Sequence, residues 1–145
     1  MALDEFEWAE KFINEYVNYI DEDLRENEFN YSMGLLSFRT KKYEKSLEYL
    51  NKVQYSQILE KVNVRFYYVM NYIELKLYEG ALSMIASIKQ FHRENKEIPA
   101  ITSKFINDSI KYFNEIIKCE ENGKKIDYAI YAEAQSMKVF FIAFI

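Results

Sequence analysis

The 145-residue chain contains one cysteine, one proline and three glycines. With Cys119 alone, no intramolecular disulfide and no cysteine-based zinc site can be assembled. This suits a reducing compartment, and the expected location is the cytoplasm. So little Gly and Pro is too little punctuation for a β sandwich or barrel, so helices joined by short loops are expected. The opening residues, Met1-Ala2-Leu3-Asp4-Glu5, lack the positive start and apolar stretch of a signal peptide. The longest apolar run, Val139 to Ile145, is far too short to span a bilayer. Gly-rich phosphate loops and His-Glu-x-x-His motifs are absent too. General acid–base or nucleophilic chemistry needs several converging polar groups, and the sequence offers no such set. The expectation is a protein without catalysis, metal or cofactor.

What is present is apolar and aromatic. Hydrophobic residues make up 50% of the chain, and thirteen Tyr and eleven Phe give it an aromatic core. That is enough for one ordinary domain with a real core, and a single domain over 1–145 is expected. The net charge of −4 argues weakly against nucleic acid. The charge is unevenly spread: residues 1–30 hold ten acids and two bases, while residues 31–145 hold thirteen acids and seventeen bases. An acidic start can simply face water, or it can dock on a basic neighbour.

Helical periodicity runs along the whole chain and predicts seven helices, at 4–20, 24–39, 42–54, 57–76, 78–95, 99–120 and 124–143. Asp21-Glu22-Asp23 supplies caps for the second, Ser56 caps the fourth, Pro99 fits a first turn and Gly123 a C-cap. Apolar stripes mark the core faces: Leu59, Val62, Phe66, Val69 and Ile73 in the fourth helix, and Ile106, Ile110, Phe113 and Ile117 in the sixth. A seam of Ile126, Ile130, Ala134, Met137, Phe141 and Phe144 marks the last. His92 is expected to act as a surface cap at a helix end and Cys119 as a small packed residue. Glu120-Glu121 can pair with Lys124-Lys125 on the surface.

The strongest signal is a repeat. Residues 34–50, GLLSFRTKKYEKSLEYL, and residues 69–85, VMNYIELKLYEGALSMI, are related by an offset of 35. Each is a helix end, a short turn, a Tyr-Glu pair, a small residue, Leu and an apolar residue. A fainter copy of the second half is Trp8-Ala9-Glu10-Lys11-Phe12-Ile13, whose Ala9 precedes Ser46 by 37. The pattern resembles the tetratricopeptide repeat, a helix–turn–helix of 34 residues. Ser37 to Ser46 and Tyr72 to Ala81 keep that family's nine-residue step, and Tyr43 and Tyr78 stand at its turn position. Departures are Asn30 and Arg65 in place of the family's Trp, Val69 for its glycine, Ser37 for its aromatic, and no closing Pro in either copy. The resemblance covers about residues 5–95, and the whole is similar to the C-terminal part of longer tetratricopeptide proteins of Bacteroidetes-type bacteria.

The resemblance implies an all-α fold: an α-solenoid of antiparallel helix pairs. Its units would be 24–56 and 57–95, preceded by a half-repeat at 4–20 and followed by a divergent pair at 99–143. It also implies a scaffold that binds a protein partner, a peptide or helix, on its concave side. The matching positions are Tyr31, Leu35, Phe38 and Arg39, then Phe66, Met70, Ile73 and Glu74. The family's clamp for a C-terminal carboxylate has Ser32 and Tyr67 at its Asn positions, so that specificity is not implied. Two other partner readings come from the residues. Arg39, Lys41, Lys42, Lys45 and Lys52 could form a basic patch for nucleic acid, but Glu44 and Glu48 interrupt it. The end of the chain is apolar on every face, so Phe140, Phe141 and Phe144 are candidates for self-association as a homodimer. Membrane insertion is the weaker use of that tail.

Overall fold

The computed structural model describes residues 3–55 and 57–125. Among these described residues six α-helices follow one another: α1 Leu3–Tyr16, α2 Glu22–Arg39, α3 Tyr43–Leu50, α4 Ile58–Glu74, α5 Tyr78–Glu94 and α6 Ala100–Asn122. A single 3-10 turn, Val17–Tyr19, joins the first two. No strand occurs among the described residues, and none of the described helices is long and apolar enough to cross a membrane. The helix expected at 124–143, and with it Phe140, Phe141 and Phe144, lies outside the described residues. The chain forms two compact units that divide between Lys76 and Leu77.

In the first unit α2 packs on α1 and, more closely, on α3. The close approach has a specific cause. A Cβ placed on Gly34 would lie 2.7 Å from Leu50 Cδ2 and 2.9 Å from Leu50 Cγ. Opposite it the fully buried Ser46 is small enough to let α3 in, and its hydroxyl donates to Gly34 O at 2.7 Å. Asn71 of α4 then donates from Nδ2 to Ser46 Oγ at 3.0 Å and to Tyr67 O at 2.9 Å. Three helices thus meet on one buried polar chain. Gly34→Val should force Leu50 out of its position and cost about 1–3 kcal/mol, read as a lower midpoint in urea. An unchanged midpoint would mean that the α2–α3 crossing is looser than described.

The repeat seen in the sequence is also a repeat of backbone geometry. Lys41 and Lys76, 35 residues apart, both take φ of 60°. The residues before them, Thr40 and Leu75, have φ/ψ of −89°/12° and −80°/0°. The residues after them, Lys42 and Leu77, have −96°/68° and −91°/64°. Hydrogen bonds repeat with the same offset. Lys41 N donates to Phe38 O and Lys76 N to Ile73 O, at 3.0 and 2.9 Å. Ser46 and Ala81, the equivalent small residues, are both fully buried, as is Leu50, with Ile85 almost so. The half-repeat residue Ala9 is only half-buried.

Several local expectations change. Asp21 occupies the N-cap of α2 but makes no side-chain cap; Glu22 and Asp23 instead sit in its first turn, where the helix dipole favours them. α4 begins one residue after Gln57, whose N–H donates to Glu60 Oε2 at 3.4 Å, as in a capping box. α3 stops at Leu50, short of the expected 54, and Gln54 N turns to Asn27 Oδ1 at 2.6 Å. Leu59, in the apolar stripe of α4, is exposed. Pro99 is the N-cap of α6, one residue before its first turn, and Gly123 closes the helix at φ 62°.

In the second unit α5 packs on α6, and Ile85 and Ile88 of α5 and Ile106, Ile110 and Phe113 of α6 are all buried. His92 is not a surface cap. It is half-buried and shares a 2.7 Å hydrogen bond with Ser103 Oγ, which ties α5 to the start of α6. Cys119 is half-buried, with Sγ 3.8 Å from Lys125 O. The Glu120 carboxylate accepts from the Tyr78 hydroxyl, whose pKa is raised, first by burial and then by that carboxylate. Tyr43, its repeat partner, does the same with Glu74.

Candidate functional site

The residues expected to line a concave groove divide by burial. Phe38, Phe66, Met70 and Ile73 are core side chains of the first unit. Phe66 and Met70 have no exposed surface at all. Phe38 packs edge-on against Tyr67 at 5.7 Å and also meets Tyr43. Tyr31, Leu35 and Glu74 are half-buried, and Arg39 is exposed. The expected groove is therefore reduced to these four residues. Arg39 is itself engaged, since its guanidinium donates to the phenol oxygen of Tyr67.

Burial also marks the tyrosines. The Tyr31 phenol is pushed up to about 12, by desolvation and then by Tyr67, Glu60 and Glu28 nearby. Tyr68 is likewise pushed up to about 12 by burial, with Tyr55 and Tyr72 adding to it. A raised folded pKa contributes stability that is intact below the unfolded value near 10 and is lost as pH rises toward the folded value. An ultraviolet pH titration should therefore leave these two phenols protonated at about pH 11 in the folded protein. A single titration of all tyrosines near the ordinary value, with the fold intact, would contradict their burial.

The accessible aromatic surface lies elsewhere, on α1. This helix carries two apolar stripes. Phe6, Ala9 and Ile13 are half-buried, at the 3–4 spacing of a face turned to its neighbour. Trp8, Phe12 and Tyr16, each four residues on from the last, form a second stripe. Their relative exposures are 65%, 48% and 50%. The rings stack on one another, with centroids 5.3 Å apart at 17° and 5.5 Å apart at 12°. Side chains at i and i+4 of a helix are neighbours, so the ladder is ordered by the helix itself. It is an acidic ladder: Glu15, with Glu7 and Glu10, lines the open depression beside Trp8, against a single Lys11.

Next to it, still within the first unit, lies a cavity of about 430 Å³ between the start of α1 and the α2–α3 turn. Phe6, Met33 and Leu36 supply its apolar part. Arg39, Lys41, Lys42 and Lys45, all exposed, line it on the α2–α3 side, and Glu7 and Glu10 on the α1 side. Four residues of the basic patch noted in the sequence are thus brought together, while Lys52 stays apart, over the ring of Tyr49 at 5.8 Å. A smaller cavity of about 330 Å³ in the second unit has Lys89, His92 and Arg93 on α5 facing Asn107 and Ile110 on α6.

In the sequence Trp8 and Phe12 fall within a half-repeat, which does not mark them as surface. One signal was available: two apolar stripes are more than one buried face requires. Comparison with protein families, curated proteins and solved structures finds no match to the chain.

Proposed function

We propose that the chain is a non-catalytic protein–protein interaction module of tetratricopeptide-like design, in which helix pairs stack as an α-solenoid and present a surface to a peptide or helix. The repeated turn at Lys41 and Lys76 supports the repeat design. The observation that carries the interaction reading is the exposed stack Trp8–Phe12–Tyr16. Ordered aromatic side chains open to solvent supply large contact area at low entropy cost, and such anchors dominate binding energies. The proposed contact surface is this ladder together with Arg39 and Leu35, in place of the buried Phe66 and Met70.

Self-association through the apolar end of the chain is the second reading, favoured by the sequence of residues 136–145 alone. The two are separated by a pull-down from lysate of the source cells, comparing the wild type with a Phe12→Ser, Tyr16→Ser variant. Both residues are exposed, so the fold should tolerate the change within about 0.5 kcal/mol. The ladder reading predicts a captured protein that is lost with the variant. Equal capture by both, or capture of nothing but the protein itself, would sink it. Trp8 is the sole tryptophan, so its emission is a built-in reporter and should shift to the blue when the isolated partner is added.

A further inference from the structure

The first unit carries opposite charge at its two ends. At one end, the corner between α1 and α2 exposes Asp21, Glu22, Asp23 and Glu26. Among them stand two apolar side chains open to solvent, Tyr19 at 87% and Leu24 at 53%. At the other end of α2 lies the cavity lined by Arg39, Lys41, Lys42 and Lys45 over Phe6, Met33 and Leu36. α2 has 18 residues, so about 27 Å of helix separates the two ends, and one copy cannot bring them together.

Arg39 is held by Tyr67, but the three lysines at the cavity are not consumed by the fold. They follow the C-terminus of α2, where a cation would ordinarily serve the open carbonyls. Those carbonyls are already met. Leu36 O accepts from Thr40 N and Thr40 Oγ1, both at 2.9 Å. Ser37 O accepts from Lys42 N at 2.8 Å, and Phe38 O from Lys41 N at 3.0 Å. Among the described residues, Lys41, Lys42 and Lys45 make no ion pair. The corner is equally settled without its carboxylates. Arg25 closes it by donating to Ile20 O at 2.8 Å and Asn18 O at 3.3 Å. The match extends to the minority charges: the corner's one cation, Arg25, has Glu7 and Glu10 as its counterpart on the α1 side of the cavity.

We propose that the cationic cavity at the α2–α3 turn receives the acidic, apolar α1–α2 corner of a second copy of this chain. Carboxylates of Asp21, Glu22 and Asp23 meet Lys41, Lys42 and Lys45, while Tyr19 or Leu24 enters against Met33 and Leu36. The contact joins two different surfaces, so it is head-to-tail and can repeat from copy to copy. Its driving force is largely between exposed charges, so it weakens with salt. It needs neither the aromatic ladder nor the end of the chain.

The test is sedimentation velocity on the full chain, followed by a charge swap. The wild type should associate with rising concentration at about 0.05 M salt, and the dissociation constant should rise at least about ten-fold at about 0.5 M. Lys42→Glu, Lys45→Glu and, separately, Asp21→Lys, Asp23→Lys should each sediment as monomers, with unchanged circular dichroism. Mixing the two variants should restore association, because the intact corner of one meets the intact cavity of the other. A wild type that stays monomeric at low salt would overturn the proposal. So would association that is indifferent to salt and to both variants, which would point to the apolar end of the chain. Two monomeric variants that stay apart when mixed would overturn it as well.

Discussion

Phe66→Ala is expected to lower the free energy of unfolding by about 3–5 kcal/mol. Phe66 is fully buried in α4, among Val62, Val69 and Met70, which are equally enclosed. Removing the ring forfeits its transfer free energy and leaves a cavity lined by side chains with little room to move. Domains of this size have about 5–15 kcal/mol in all, so the loss is a large fraction of the whole. Urea denaturation followed by circular dichroism measures it. A cost below about 1 kcal/mol would mean that Phe66 is a surface residue, as a groove position would be. The prediction matters for function, because a substitution at Phe66 that abolished binding would report unfolding and not a lost contact.

Asn71→Asp should be nearly as severe, at about 3 kcal/mol or more near neutral pH. The Asn71 side chain has no exposure, donates to Ser46 Oγ and Tyr67 O, and its Oδ1 has no protein partner among the described residues. A carboxylate there loses both donated bonds and buries a charge facing oxygen atoms. The burial raises the carboxyl pKa in the folded state above its unfolded value near 4. A raised folded pKa places the linked stability at low pH: the ionisation part of the penalty is absent below about pH 4 and grows as pH rises toward the folded value. The variant should therefore be closest to wild type in mild acid. A stability difference that is flat with pH would show that water reaches position 71.

Much of this fold was legible in the sequence, and particular residues show why. Tyr43 and Tyr78, Ser46 and Ala81, and Leu50 and Ile85 recur with one offset, each set following the same turn geometry at Lys41 and Lys76. Small residues and aromatic fillers leave a mark in composition. Lys41 and Lys76 left none. Lysine is an ordinary residue for a turn, and nothing in its chemistry announces a left-handed backbone. The pairing of His92 with Ser103 was equally hidden, since it depends on how α5 and α6 pack.

The candidate site was less legible than the fold. Helical periodicity says which residues share a face, but not which of two faces is covered. In α4 the predicted binding stripe, Phe66, Met70 and Ile73, proved to be core. In α1 the stripe at Trp8, Phe12 and Tyr16 is the uncovered one. Arg39, expected to bind a partner, is exposed, and its contact with Tyr67 was not foreseeable. The acidic start and the basic stretch after residue 39 were visible as charge. Only once the helix boundaries were fixed did Asp21, Glu22, Asp23 and Glu26 fall at the opposite end of α2 from that basic stretch, while Glu7 and Glu10 stand beside it.

The most direct test of the interaction reading is site-specific photo-crosslinking. A photoreactive phenylalanine analogue would replace Phe12, in the ladder, and in a second protein Ile101, which is 82% exposed on α6 in the other unit. Expressed in the source cells and irradiated, the substitution at Phe12 should give a discrete adduct with another protein, and the one at Ile101 should not. Adducts of equal yield at both positions, or none at Phe12 while the protein remains folded, would contradict the assignment of α1 as the recognition surface.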